Sequence, residues 1–183
     1  MYRTKTYIAG DWTGDKDLID KLYEWNENKK LLLSFVDAHE YTQSSDDSLN
    51  CSIKESLRER LNISKTFVLI VGKQTKNLKS GSCFLCGSYK GYNGVCNRVH
   101  NTDNRSFVDY ECEMAIKDFN DELLSRIVVI YNYANVDKDK CPECIRDYGK
   151  HINGYYHETG GKDYWNYSEI KDAICYWLVF LLF

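Results

Sequence analysis

The chain has 183 residues, 43% of them hydrophobic and 28% charged, with one proline and eleven glycines. That length argues for one compact domain over residues 1–183, and the composition excludes collagen-like and proline-rich disordered chains. A formal charge of -3 and a pI of about 5.8 provide no basic field for phosphate backbones, so nucleic acid is not an expected partner.

Thr6–Ala9 reads as a first buried strand, short and apolar, with polar turn residues after it. Leu18, Ile19, Leu22 and Trp25 then recur at helical spacing, with Asp15 as the expected N-cap. Leu31–Val36 predicts a second strand. Ser52-Ile-Lys-Glu55 matches a capping box and opens a helix whose inner face is Ile53, Leu57 and Leu61. Thr66–Val71 is the third strand. A third helix carries Val108, Cys112, Ala115, Ile116 and Phe119 inward, and Arg126–Tyr131 is the fourth strand. A weak fifth strand falls within Lys150–His157, around Gly154. The last helix opens near Ser168 and buries Ile170, Ala173, Ile174, Trp177 and Leu178.

Continuous apolar runs, rather than alternating ones, suit parallel strands covered on both faces. Alternation of strand and helix predicts an α/β, flavodoxin-like, doubly wound parallel sheet of about five strands in the order 2-1-3-4-5. Residues 80–105 and 135–149 are longer than the usual 2–6 residue connections of such folds and read as insertions. Both leave from the carboxyl edge of the sheet, where ligands bind in this architecture, and they are expected to lie side by side.

No apolar leader opens MYRTKTYIAGDWTGD, and the run Trp177–Phe183 is far short of the roughly 20 residues that span a bilayer. A cytoplasmic protein without a membrane partner is expected. Neither GxGxxG, GxxxxGK[ST] nor GxSxG occurs, which removes the main support for dinucleotide dehydrogenase, P-loop and nucleophile-elbow readings. Gly10 and Gly14 read as turn residues.

Eight cysteines include two CxxC pairs, Cys83-x2-Cys86 and Cys141-Pro-Glu-Cys144. In a reducing compartment such spacing points to metal or redox chemistry rather than to a disulfide framework. Cys83, Cys86, Cys141 and Cys144 could clip the two insertions together around a structural Zn2+. Cys83, Cys86, Cys96 and His100 are an alternative Cys3His set, and reduced thiols or a redox pair are a third reading. Cys51, Cys112 and Cys175 read as core or surface thiols.

TYIAGD, FVDAHE (Phe35–Glu40), LRERLNISKTFVLIVGKQT (Leu57–Thr75), FVDYECEMAI (Phe107–Ile116) and RIVVIYNY together resemble the TIR-like domain of bacterial Thoeris antiphage systems, the NAD-consuming, signal-generating component. The resemblance covers roughly residues 4–132 and the last helix, and it leaves the Cys-bearing insertions unexplained. It implies that Glu111 is the catalytic residue. Helical geometry puts Glu111 about 60° from Val108, on the flank of the apolar stripe, from which a carboxylate can face a cleft. Without the resemblance, a flanking glutamate reads as solvated.

Asp37, His39 and Glu40 follow the second strand, where the family has a mobile loop beside its site, and Asp37 is the favoured second polar contact. His39 alone also reads as a neutral surface histidine. Asp11 and Trp12 follow the first strand at the same edge, and Trp12 is either a stacking platform or a partly buried core tryptophan.

The implied activity is NAD+ cleavage that releases nicotinamide and yields an ADP-ribose-derived signalling nucleotide, by hydrolysis or by cyclisation. The implied partners are NAD+ itself, further copies of the chain in an active assembly, and a downstream effector that reads the product. Two rival readings are a non-enzymatic TIR-type interaction module and a zinc-stabilised nucleotide-binding protein. Loss of nicotinamide release on substituting Glu111 separates the first rival from the enzyme.

Overall fold

The computed structural model describes residues 3–31, 33–38, 49–90, 95–96 and 102–175. Its centre is a four-stranded parallel sheet built from β1 (Lys5–Ala9), β2 (Ser64–Val71), β5 (Arg126–Tyr131) and β6 (Lys150–Asn153), in the order β1-β2-β5-β6. Two hairpin pairs, β3 (Tyr89–Lys90) with β4 (Val95–Cys96) and β7 (Tyr155–His157) with β8 (Asp163–Trp165), stand outside it. The sheet is flanked by α1 (Lys16–Glu27), α2 (Asn50–Asn62), α3 (Phe107–Asn120) and α4 (Tyr167–Cys175).

Side chains alternate across each strand and feed two cores. Ile8, Val68, Ile70, Val128 and Ile130 meet Leu18 and Leu22 of α1 and Ile170 and Ile174 of α4. On the opposite face, Tyr7, Phe67, Leu69, Val129 and Tyr131 meet Leu61 of α2 and Val108, Cys112 and Ala115 of α3. This is the α/β, flavodoxin-like arrangement expected of a TIR-like chain.

The expected strand Leu31–Val36 is not a sheet strand among the described residues. Thr6 donates to Val36 O at 2.7 Å and Ala38 to Thr6 O at 3.0 Å, which leaves a single Thr6–Asp37 bridge beside β1. The reason is local: the Phe35 amide donates to Asn26 Oδ1 at 2.8 Å and the Ser34 amide to Cys175 Sγ at 3.3 Å, so side chains engage groups that a ladder would need. The segment still occupies the outer edge of β1, the place predicted for strand two.

Helix starts differ from the sequence reading in two places. Helix α2 begins at Asn50 without a side-chain cap, so Ser52 lies inside the first turn and the expected capping box does not form. Asp15 occupies the N-cap position of α1, yet its carboxylate accepts from Asn132 Nδ2 at 3.1 Å instead of capping. It lies against Gly72, where an added Cβ would meet Asp15 Oδ1 at 1.8 Å. Burial raises the Asp15 pKa. A real cap opens α3, where Ser106 Oγ accepts from the Asp109 amide at 3.0 Å and donates to Asp109 Oδ2 at 2.7 Å.

Phe119, expected on the inner stripe of α3, is 36% exposed, and the stripe instead turns Glu111 and Asp118 inward. The fifth strand is β6, and Gly154 ends it by donating to Tyr131 O at 2.6 Å. Trp177 and Leu178 lie outside the described residues. Among the described residues no helix is long and apolar enough to cross a membrane.

Gly149 precedes β6 at φ +77°, and an added Cβ would lie 2.3 Å from Ile127 O. Gly149→Ala combines an unfavourable left-handed backbone with a backbone clash, so a loss of more than about 1 kcal/mol is expected in urea unfolding.

Candidate functional site

Helix α3 starts at its Ser106 cap, and Glu111 follows one turn later on the face that looks toward β1. The side chain is buried, with the residue only 8% exposed, and its Oε1 accepts a hydrogen bond from the hydroxyl of Tyr7 on β1. The Tyr7 ring is fully enclosed and stacks on Phe67 at 5.8 Å, so the hydroxyl is held by a rigid sheet. The sheet side of the site is therefore preorganised.

Burial penalises the ionised carboxylate and raises the Glu111 pKa to about 7, against opposing effects of the Tyr7 hydroxyl and the Arg60 charge. Tyr7 is itself pushed well above its ordinary value, by burial first and then by the charge of Glu111. The site thus holds a carboxylate that changes charge near neutral pH. Perturbed groups of this kind in a cleft mark functional sites.

Glu111 opens into a cavity of about 500 Å³ at the carboxyl edge of the sheet. One wall is the β1–α1 loop with Asp11 and Trp12, and another is α2 with Ile53, Leu57 and Arg60. Tyr23 of α1 and Phe107 of α3 complete the aromatic lining. Trp12 is 40% exposed at the mouth of this cavity and lies 6.3 Å from the Tyr23 ring, so it is not a core tryptophan. Asp11 Oδ1 accepts from the amides of Thr13 at 3.1 Å and Gly14 at 2.9 Å, so its carboxylate shapes the loop that carries Trp12.

Asp37 is 6% exposed and accepts from the Tyr23 hydroxyl. It stands behind the wall and reaches the cavity through Tyr23. The structure thus brings Glu111, Asp11 and Trp12 to one cavity and sets Asp37 one hydrogen bond away. His39 and Glu40 lie outside the described residues.

Tyr7, Tyr23 and Arg60 were not anticipated by the sequence reading. Arg60 carried a usable signal, since with Ile53, Leu57 and Leu61 it completes the i, i+4, i+7, i+8 stripe of α2. A cation at a stripe position, 8% exposed here, calls for a buried partner or a ligand.

The CxxC pairs assemble differently from the expected metal clip. Cys83 is buried and its Sγ accepts from the Asp103 amide at 3.2 Å, in a loop that Lys54 of α2 holds through Asp103 O at 3.1 Å and Arg105 O at 2.8 Å. Cys86 closes the turn by donating its amide to Cys83 O at 3.0 Å. Cys141 and Cys144 belong instead to the core beneath α3. Among the described residues no group of three or more His, Cys, Asp or Glu is arranged to hold a metal ion. His100 and the Cys96 side chain lie outside the described residues.

Larger cavities lie elsewhere among the described residues. One of about 580 Å³ at the start of α1 is lined by charges of both signs, among them Asp15, Asp17, Lys16 and Lys73. Another of about 910 Å³ separates α2 from the first insertion. The Glu111 cavity combines aromatic lining with a buried carboxylate hydrogen-bonded to a core tyrosine.

The family model described as Thoeris protein ThsB, TIR-like domain, matches residues 7–80. A search of curated proteins finds no match. The matched stretch contains Tyr7, Asp11, Trp12, Tyr23, Asp37 and Arg60, and it ends before α3, so it does not reach Glu111.

Proposed function

Taking residues 7–80 as a TIR-like domain of the Thoeris ThsB kind, we propose that the chain serves antiphage defence by cleaving NAD+ in the Glu111 cavity. The reaction releases nicotinamide and leaves an ADP-ribose-derived nucleotide. The observation that carries this reading is the buried carboxylate of Glu111, held by Tyr7 beside an aromatic mouth.

Breaking the bond between ribose C1′ and the nicotinamide nitrogen develops positive charge on the sugar. An ionised carboxylate in a site partly shielded from water stabilises that charge far more than it would in bulk solvent. Nicotinamide leaves as a neutral base, so no general acid is required, unlike the two-carboxylate arrangement of ordinary glycosidases. Trp12 and Tyr23 provide faces for the cationic pyridinium ring. Arg60 provides positive charge for the anionic part of the dinucleotide. Capture of C1′ by water gives ADP-ribose, and capture by a group of the same molecule gives a cyclised product.

The test is to incubate purified protein with NAD+ over a range of protein concentrations and to follow nicotinamide by chromatography. Release is expected. Its absence at every concentration, in a folded protein, contradicts the enzymatic reading and favours an interaction module.

Tyr7→Phe isolates the second member of the site. The hydroxyl stabilises the charged form of Glu111, so its loss raises the carboxyl pKa further. The alkaline-rising limb of kcat/KM is expected to move to higher pH, with activity recovering toward the parent value above it. An unshifted limb would show that Tyr7 serves packing alone.

A further inference from the structure

Tyr23 lines the Glu111 cavity, and a buried carboxylate stands behind it: its hydroxyl donates to Oδ2 of Asp37, a residue only 6% exposed. Asp37 is in turn clipped to the edge of β1. The Thr6 amide donates to Val36 O at 2.7 Å, the Ala38 amide donates to Thr6 O at 3.0 Å, and Asp37 bridges Thr6 between them. The next residue of β1 is Tyr7, whose hydroxyl holds Glu111. One strand therefore places both carboxylates, Glu111 in the cavity and Asp37 behind its aromatic wall.

The Tyr23 ring is held as well as its hydroxyl. Buried Phe35 meets it edge-on at 5.9 Å, and exposed Trp12 lies tilted to it at 6.3 Å. A hydroxyl that donates to a carboxylate makes a charge-assisted hydrogen bond and leaves more electron density on the phenol oxygen and its ring. Such a ring presents a more negative face, which holds a cation more strongly. The Asp37 charge also reaches the interior of the site: behind burial and Glu111, it adds to the upward shift of the Tyr7 hydroxyl.

We propose that Asp37 is a positioning residue that sets specificity: through the Tyr23 hydroxyl it fixes an electron-rich face beside Trp12, and the site thereby selects a dinucleotide with a cationic ring over one with a neutral ring. The inference rests on the reading of this cavity as an NAD+ site. The pyridinium ring of NAD+ carries a positive charge, whereas the dihydropyridine ring of NADH has nearly the same size and carries none. The pair therefore separates charge from shape. As the bond to ribose breaks, the positive charge moves from the ring to the sugar, so the Tyr23 face favours the bound substrate over the transition state. Asp37 accordingly governs substrate binding rather than bond cleavage.

The test measures calorimetric binding of NAD+ and of NADH to the full chain in the Glu111→Gln background, where turnover does not interfere. NAD+ is expected to bind more tightly than NADH. Asp37→Asn keeps an oxygen that accepts from Tyr23 and removes the charge, and it is expected to cut this preference at least about 3-fold by weakening NAD+ alone. Tyr23→Phe keeps the packing on Phe35 and is expected to have the same effect, which serves as the test if Asp37→Asn does not fold. With Glu111 in place, Asp37→Asn is expected to raise KM for nicotinamide release without lowering kcat. An unchanged preference, or equal losses of NAD+ and NADH affinity, would overturn the proposal. Either result alongside nicotinamide release by the parent chain refutes the role of Asp37 and leaves the function of the cavity standing. A folded parent that neither binds NAD+ nor releases nicotinamide refutes both.

Discussion

Glu111→Gln is expected to lower the rate of nicotinamide release by about 10²–10³-fold, the size of effect seen when one well-placed electrostatic stabiliser is removed. The substitution keeps the shape of the side chain and an oxygen that accepts from Tyr7, so the loss reports on charge rather than on packing. The same variant is expected to be the more stable protein at alkaline pH. The folded carboxyl titrates near 7 against an ordinary 4.5, so between those values the folded chain binds the extra proton. The stabilising contribution of the neutral group is complete below about pH 4.5 and fades as pH rises through 7. Removing the titration relieves a penalty of about 3 kcal/mol at pH 8, and little at pH 4. Urea unfolding at the two pH values measures this. Equal stability of parent and variant at both would mean that Glu111 is not buried in solution.

Asp118→Ala carries the largest expected loss of stability. Asp118 is fully buried on α3 and accepts from Arg3 Nη1 at 2.6 Å and from Arg58 Nη2 of α2 at 2.8 Å. Deleting the carboxylate leaves two partly buried guanidinium groups without their counter-charge, which costs about 3–5 kcal/mol. For a chain of this size that corresponds to a fall in melting temperature of roughly 10 °C. The site feels the change too, because Asp118 ties α2 to α3, and these helices carry Arg60 and Glu111. A fall of only a degree or two would mean that packing alone, not the ionic triad, holds the two helices.

Much of this architecture is legible from the chain because its signals are local. The runs Phe67–Val71 and Ile127–Tyr131 are continuously apolar, and they form the two central strands, buried on both faces. Leu31–Val36 has the same composition, but whether its amides join a ladder is decided by Asn26 and Cys175, which sequence spacing does not bring near. For Glu111, periodicity predicted a flank position. Its burial arises only when β1 delivers Tyr7 and α2 delivers Arg60 to the same place.

The cysteines make the same point. Two CxxC pairs look equivalent in sequence, and pairing them with each other is the natural reading of spacing alone. In the fold the first turn is held by Lys54 of α2, while Cys141 and Cys144 pack into the core beneath α3. Trp12 reads from sequence as a stacking platform or a core tryptophan, and its exposure at the cavity mouth removes the core reading.

The central claim is that an ionised Glu111 steadies the ribosyl cation of NAD+, and the most direct test is the pH dependence of kcat/KM for nicotinamide release. A single-proton rise with pH, with its midpoint near the free carboxyl's value of about 7 and absent in Glu111→Gln, is the predicted result. A cationic ring bound beside the carboxylate favours its ionised form, so the corresponding limb of kcat should lie at lower pH. A profile that is flat from pH 5.5 to 8.5, or that survives unchanged in Glu111→Gln, would contradict the account.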